Sequence, residues 1–330
     1  MKRLLTTLVI LGIFLTWDFF SPQKKNNNNN TKPIVGILQL TSHPALNEIH
    51  QGIIAGLKQQ GFVNHKNIEI DFQNAQNDQS SLKTMSERFI NENSAVTIGI
   101  ATPAAQALAN TTKTTPVVMG AISDPIGAKL VNNLKHPDQN VTGVMHVEPV
   151  LQQVTLIKKI LPNLKTIGVL YTASDDSATA SYQEFARQAK KQGLIVKPYT
   201  ISSTNDAAQV ASVLAQEIQA LYLPTDNNVA SAAPTIINTA TQYQVPVFSA
   251  SSSLLKDGAL ATVSVSQFDL GKLTGQMAAE ILKGKKPANM AIRHVKKTYL
   301  SLNLKQAQKL NIQIPNELLT QAQQKGEIIS

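Results

Sequence analysis

Thr102, Pro103 and Ala104 open a helix-patterned stretch directly after the apolar run Val96–Ile100. A hydroxyl residue followed by proline at the first helical position leaves a helix N-terminus at the carboxyl edge of a sheet. Free backbone N–H groups and the helix dipole make such an edge an anion seat, with the Ser123 hydroxyl as a further donor to a carboxylate. The same grammar of strand, polar loop and helix recurs at residues 39–44, 123–125, 172–177 and 224–228. Asp226 carries the opposite chemistry. It could hold an ammonium in a charge-assisted hydrogen bond, or simply cap a helix. Asp124 has the same two readings within a Ser-Asp-Pro turn, and of the adjacent pair Asp175 and Asp176 one is expected to cap and the other to be solvated. Further candidate contacts are Gln39 and Ser42 in the first loop, Thr172 and Ser174 after Tyr171, Thr225 and Asn227 around Asp226, and Ser249 with Ser251. Tyr171 could stack on a ring or merely pack.

None of these loops holds a nucleophile paired with a base. The histidines at 43, 50, 65, 136, 146 and 294 lack metal-ligand spacing, and only His43 is expected near the cleft. Nothing calls for a cofactor. A dinucleotide enzyme would need Gly-x-Gly-x-x-Gly after the first strand, but Gly36 is followed by Ile37, Leu38 and Gln39. A Walker loop is also absent. The reading is a receptor, not a catalyst. A carbohydrate receptor would place several aromatics in its cleft, and aromatic residues make up only 5% of this chain.

The chain has 330 residues, a net charge of +9 and no cysteine. Disulfides, thiolate metal sites and thiol nucleophiles are thereby excluded. The basic residues are scattered with no interleaved aromatics, which argues against nucleic acid; a cationic surface facing an anionic cell envelope accounts for the charge. Lys2 and Arg3 precede an apolar run at 4–17 that ends near Asp18. A positive end before such a run resembles a secretory signal. Residues 4–20 lie near the lower limit for a spanning helix, and no small-x-small cleavage site follows. The expectation is an uncleaved anchor at 1–20 that holds the protein at the cell surface, the alternative being secretion after cleavage. The Asn26–Asn30 tract, flanked by lysines, then serves as a tether within 21–32.

Beyond the tether, apolar β-branched runs alternate with amphipathic stretches. Strands are expected at 33–40, 67–74, 96–101, 116–122 and 141–146, with helices at 45–60, 79–91, 103–111 and 126–134. Gly52 reads as a tolerated interior glycine. A second set follows, with strands at 166–171, 195–201, 220–223, 245–249, 259–265 and 294–302. Its helices fall at 150–161, 177–192, 206–216, 229–243 and 266–283, with two short ones at 304–310 and 315–324. This is an α/β chain of two Rossmann-like lobes with parallel sheets. Right-handed crossovers place the polar loops on the carboxyl side of each sheet, where ligands of open α/β sheets bind. A transcription regulator with this core would need a helix-turn-helix before Pro33, where only the apolar segment and the Asn tract stand.

Several runs together resemble the ABC-transporter substrate-binding family with a type I periplasmic-binding-protein fold. They are 35–39, 102–108, 123–125, 140–144, 168–171 and 224–227. The resemblance extends from Pro33 to the end and is narrowest with the tryptophan/tyrosine-binding branch of Gram-positive bacteria. It implies three crossovers between lobes, with residues 33–147 plus 267–290 forming one lobe and 148–266 plus 291–330 the other. It further implies a monomeric receptor that closes about a hinge on an amino acid, tryptophan-like by this likeness, and hands it to a permease–ATPase complex. A receptor of the same fold that signals to a membrane partner, or one for another small solute, is the competing reading. Family members are commonly lipoproteins; the missing cysteine favours the uncleaved anchor instead.

Overall fold

Short runs rich in Val, Ile and Leu form the strands, since branched side chains suit a pleated surface covered on both faces. A computed structural model describes residues 32–137 and 139–330. The anchor expected at 1–20 and, but for Lys32, the Asn-rich tether expected at 21–32 lie outside the described residues. The strands are β1 Ile34–Gln39, β2 Glu69–Asn74, β3 Val96–Ile100, β4 Val117–Ile122, β5 Val141–Met145, β6 Thr166–Thr172, β7 Ile195–Ile201, β8 Ala220–Leu223, β9 Val247–Ser249, β10 Ala261–Val265, β11 Arg293–His294, β12 Thr298–Asn303 and β13 Glu327–Ile329. The first sheet has the order β11-β5-β4-β3-β1-β2 and is wholly parallel. The second runs β13-β12-β10-β9-β8-β6-β7, parallel except where β12 meets β10. The fold class is therefore the one read from the sequence.

The helices are α1 Pro44–Gln59, α2 Gln79–Asn91, α3 Thr102–Thr111, α4 Val150–Ile160, α5 Asp176–Lys191, α6 Ala207–Leu214, α7 Asn227–Gln242, α8 Gln267–Leu282, α9 Leu304–Lys309 and α10 Asn316–Lys325. α1, α2, α3 and α8 pack on the first sheet, and the others on the second. One apolar core forms around the first sheet, including Ile37, Phe89 and Ile98. The second sheet is covered on both faces, by a cluster around Phe185 and Tyr222 and another around Leu221 and Ile236. Among the described residues no helix is long and apolar enough to cross a membrane.

The described chain passes between the sheets three times: at 146–149, at Ser266, and at 295–297. The last crossing departs from the reading above. The single strand expected at 294–302 is two strands, because Arg293 and His294 pair with β5 while Thr298 to Leu302 pair with β10. No Gly or Pro marks the break, and the first lobe reaches beyond residue 290. The helix expected at 126–134 is a set of turns. Asp124 accepts from the Gly127 N–H at 2.9 Å, and Lys129 adopts a left-handed φ of 56° that stops a helix. The helix expected at 206–216 begins as a 3₁₀ turn, Thr204–Asp206, closed by a reciprocal bond between Ser203 and Asp206. β13 was not anticipated.

Gly52 is more than tolerated. α1 and α8 lie so close that a Cβ at Gly52 would overlap the Phe268 carbonyl oxygen, and one at Gly271 the Ile49 carbonyl oxygen. Gly56 and Gly275 meet the facing helix in the same way. The two helices run in the same direction, so both N-termini reach the carboxyl edge of the first sheet.

Candidate functional site

The carboxyl ends of both sheets face one another across two connected spaces. An outer groove of about 1290 Å³ is lined by Thr102, Pro103, Asp124, Thr172, Ser174 and Asp176, among others. An inner cavity of about 60 Å³ is lined by Ser123, Thr225, Asp226 and Ser251, and also by His43, His146 and Gln267. Thr102, Asp175, Ser177 and Asn227 line both spaces and so form the mouth between them. Ala45, Leu46, Ile49, Ala230 and Leu254 give the inner cavity an apolar flank. Among the described residues lining either space there is no Phe, Tyr or Trp.

The first-lobe wall includes two bare helix ends, those of α1 and α3. Ala101, not Thr102, is the N-cap of α3, at φ 75° and ψ 158°, and the helix has no side-chain cap. The Thr102 hydroxyl is thus left for other partners. Ala104, expected as a ligand contact, is fully buried and lines neither space; it packs in the first-sheet core. The Ala101 conformation belongs to glycine, and Ala121 at the end of β4 is also left-handed at φ 60°. Both line the inner cavity; backbone strain of this kind gathers where a ligand is held. α1 likewise starts without a side-chain cap, its N-cap being His43 followed by Pro44.

The second-lobe wall is carboxylate. Asp175 caps α5 by accepting from Ser177 N and Ala178 N at 2.8 and 3.2 Å. Asp176 is exposed, so the expected division between cap and solvated residue is what the structure has. Asp226 is 4% exposed and caps α7 through Asn228 N and Val229 N. It also accepts from Thr172 N at 2.6 Å and Thr172 Oγ1 at 3.1 Å, which ties β6 to α7. Burial raises both carboxyls above the ordinary range, and the Asp226 charge adds to the push on Asp175. Asp175 at the mouth and Asp226 in the inner cavity are close enough to feel one another's charge, and such a pair favours a cation beside it.

Other candidates from the sequence sit elsewhere. Tyr171 stacks on Tyr182 with ring centroids 4.5 Å apart and lines neither space; it packs against α5. Gln39 is buried and donates to Thr41 O and Asn47 Oδ1, which fixes the start of α1. Ser42 accepts from Asn74 Nδ2, and Ser249 Oγ donates to Ser251 O. These four hold loops in place. Asp124 turns its own loop at the groove's edge.

Two histidines change the picture. His43 Nε2 lies 3.2 Å from Asn227 Oδ1 across the lobes. An amide oxygen only accepts, so Nε2 carries the hydrogen and Nδ1 presents a lone pair. That atom is buried and finds no partner among the described residues, and the same holds for His146 Nε2 and Thr225 Oγ1. All three side chains line the inner cavity. His146 was not expected near the cleft; it is 4% exposed and directly follows β5. Its position after an apolar run, the same signal that marked Thr102, was available in the sequence.

Residues 34–325 match the family of ABC transporter substrate binding proteins. A tyrosine-binding protein of Clostridioides difficile is 31% identical over 311 residues, spanning 92% of this chain and 90% of that protein. An ABC domain from Streptococcus pneumoniae, solved in complex with L-Trp, is 40% identical with a TM-score of 0.87, covering 91% of this chain and 100% of that one. A ligand-free, open substrate binding protein with adhesive properties from Clostridium difficile is 34% identical with a TM-score of 0.70, covering 90% and 99% respectively. The relatives are solute-binding proteins, not enzymes. This chain belongs to the ABC transporter substrate-binding protein family.

Proposed function

We propose that the chain captures an aromatic amino acid outside the cell, by closing two lobes on it, and delivers it to the permease and ATPase of an importer. One observation carries the reading: the cleft's walls have opposite polarity. The first lobe presents the uncapped N-termini of α1 and α3, and the second presents Asp175 and Asp226. Helix N-termini favour a carboxylate and crowded carboxylates favour an ammonium, so a zwitterion fits across the mouth. Asp226 already accepts four hydrogen bonds, which leaves Asp175 better placed to take the ammonium. The apolar flank of Leu46, Ile49 and Leu254 suits a large apolar side chain. The relatives that bind tyrosine and L-Trp support an aromatic one. The match to the L-Trp complex has the higher TM-score, 0.87 against 0.70 for the ligand-free, open relative.

A thermal-shift screen of the twenty amino acids on residues 31–330 tests this. An aromatic amino acid should raise the melting temperature, and the shift should vanish when either charged end is removed; ligand at about 100 times its Kd adds roughly 2.7 kcal/mol. Sugars or nucleosides that shift the melting point where no amino acid does would overturn the reading. We place the protein at the cell surface as a monomer, held by residues 1–20. Mass spectrometry of the membrane-bound protein checks the anchor: a mature N-terminus between residues 21 and 32 would mean that the segment is cleaved.

A further inference from the structure

His146 sits where the zwitterion reading leaves a question, in the lining of the inner cavity behind the mouth. It lines the inner cavity but not the outer groove, whereas Thr102, Asp175, Ser177 and Asn227 line both. The charged head of an amino acid held at those four residues can send its side chain into the inner cavity. His146 is anchored there. Its backbone N–H donates to Ile122 O at 2.9 Å, and it directly precedes the first crossing between the lobes. The ring is 4% exposed, and its Nε2 is buried without a hydrogen-bond partner among the described residues. Burial holds the imidazole below its ordinary 6.5, against the weaker opposing charge of Glu148. The ring is therefore neutral at pH 7, with one N–H donor and one acceptor nitrogen, and a ligand N–H or O–H at Nε2 selects the tautomer in which Nε2 is the acceptor. A buried polar group is costly unless something pairs with it.

The aromatic amino acids divide on this point. The indole of tryptophan carries an N–H and the phenol of tyrosine an O–H, so each offers one donor hydrogen at the ring. Phenylalanine offers none. A single acceptor can thus serve both of the first two and reject the third, even though their rings differ in size and shape.

We infer that His146 is the specificity-determining residue for the ligand ring: its acceptor nitrogen takes the indole N–H of tryptophan or the phenolic O–H of tyrosine and so selects both against phenylalanine. This rests on the aromatic amino acid reading above. Sites built to hydrogen-bond a substrate O–H or N–H reject the analogue lacking it far more strongly than a missing methylene can explain.

Calorimetric titration of L-Trp, L-Tyr and L-Phe into residues 31–330 tests it, on the wild type, His146→Leu and His146→Gln. The wild type should bind Trp, Tyr or both at least tenfold more tightly than Phe. His146→Leu should reduce that preference to within about twofold, chiefly by weakening Trp and Tyr. His146→Gln retains an acceptor and should keep part of the preference. Each preference is a ratio of affinities measured on one preparation, so a misfolded fraction cancels from it. A wild type that binds Phe as tightly as Tyr and Trp overturns the role of His146 while leaving the aromatic reading intact, and so does an unchanged ratio in His146→Leu. A wild type that binds none of the three but does bind another solute overturns both.

Discussion

Asp226 shows how one carboxylate can be structural and still shape a site. Its oxygens accept from two α7 N–H groups and from both the N–H and the hydroxyl of Thr172. Replacing a capping Asp by Ala costs about 0.5–2 kcal/mol, and the buried Thr172 donors left unpaired add about 1–3 kcal/mol. Asp226→Ala should therefore lower the urea midpoint of the ligand-free protein by an equivalent amount. Loss of binding with full stability would instead give Asp226 the purely ligand-facing role that a loop position suggests. The buried histidines predict a pH dependence. Burial lowers the pKa of His43 and His146 below the ordinary 6.5, so between the folded and unfolded values the unfolded chain binds more protons. Stability then rises with pH and is lost as pH falls through about 6.5. Asp175 and Asp226 act oppositely: their raised values favour the folded state only as pH falls toward the ordinary 3.8. Urea midpoints should drop between about pH 7.5 and 5.5, and His146→Leu should flatten that slope.

At the scale of elements, the two glycine pairs decide where the first-lobe wall stands. Gly52 and Gly56 of α1 lock against Gly271 and Gly275 of α8, backbone to backbone. Gly271→Ala would drive a methyl group into the Ile49 carbonyl oxygen. Overpacking of this kind costs about 1–3 kcal/mol, and the helices can escape it only by parting, which moves His43 at the head of α1. The variant should melt lower and bind ligand more weakly; an unshifted melting curve would show that the pair has slack. This contact also marks what could be read in advance. Strands β1 to β10 and the larger helices were legible because their apolar period is local. Glycines spaced by four on two helices were visible in 52–56 and 271–275, but which helices meet is a tertiary fact. The break between β11 and β12 was hidden for a similar reason, since a strand that changes sheets keeps its β pattern. Of the site, the charged mouth was legible from loop grammar at Thr102 and Asp226. His146 carried the same signal, a polar residue after an apolar run, but was obscured because β5 leads into a crossing and not into a helix of its own lobe.

At the scale of the molecule, direct bonds across the cleft are few and neutral. His43 Nε2 donates to Asn227 Oδ1 at 3.2 Å, and Asn77 Nδ2 donates to Asn228 Oδ1 at 2.9 Å. Each is worth about 0.5–1.5 kcal/mol net, too little to outweigh the hydration of two carboxylates and two bare helix ends. A ligand shifts such a balance only by its differential affinity for the closed state, and here that difference comes from contacts made to both walls at once. In solution the ligand-free protein should therefore be more open than the closed arrangement. Small-angle scattering should show the radius of gyration contracting on addition of L-Trp or L-Tyr. Asn228→Ala removes one bond across the cleft without touching either core, so the ligand-free melting temperature should hardly move. Affinity should fall up to about tenfold, since 1.4 kcal/mol corresponds to tenfold. Calorimetric binding with no change in scattering would mean that the lobes are already closed before ligand arrives, and that the selection of tryptophan or tyrosine rests on the walls of a preformed cavity alone.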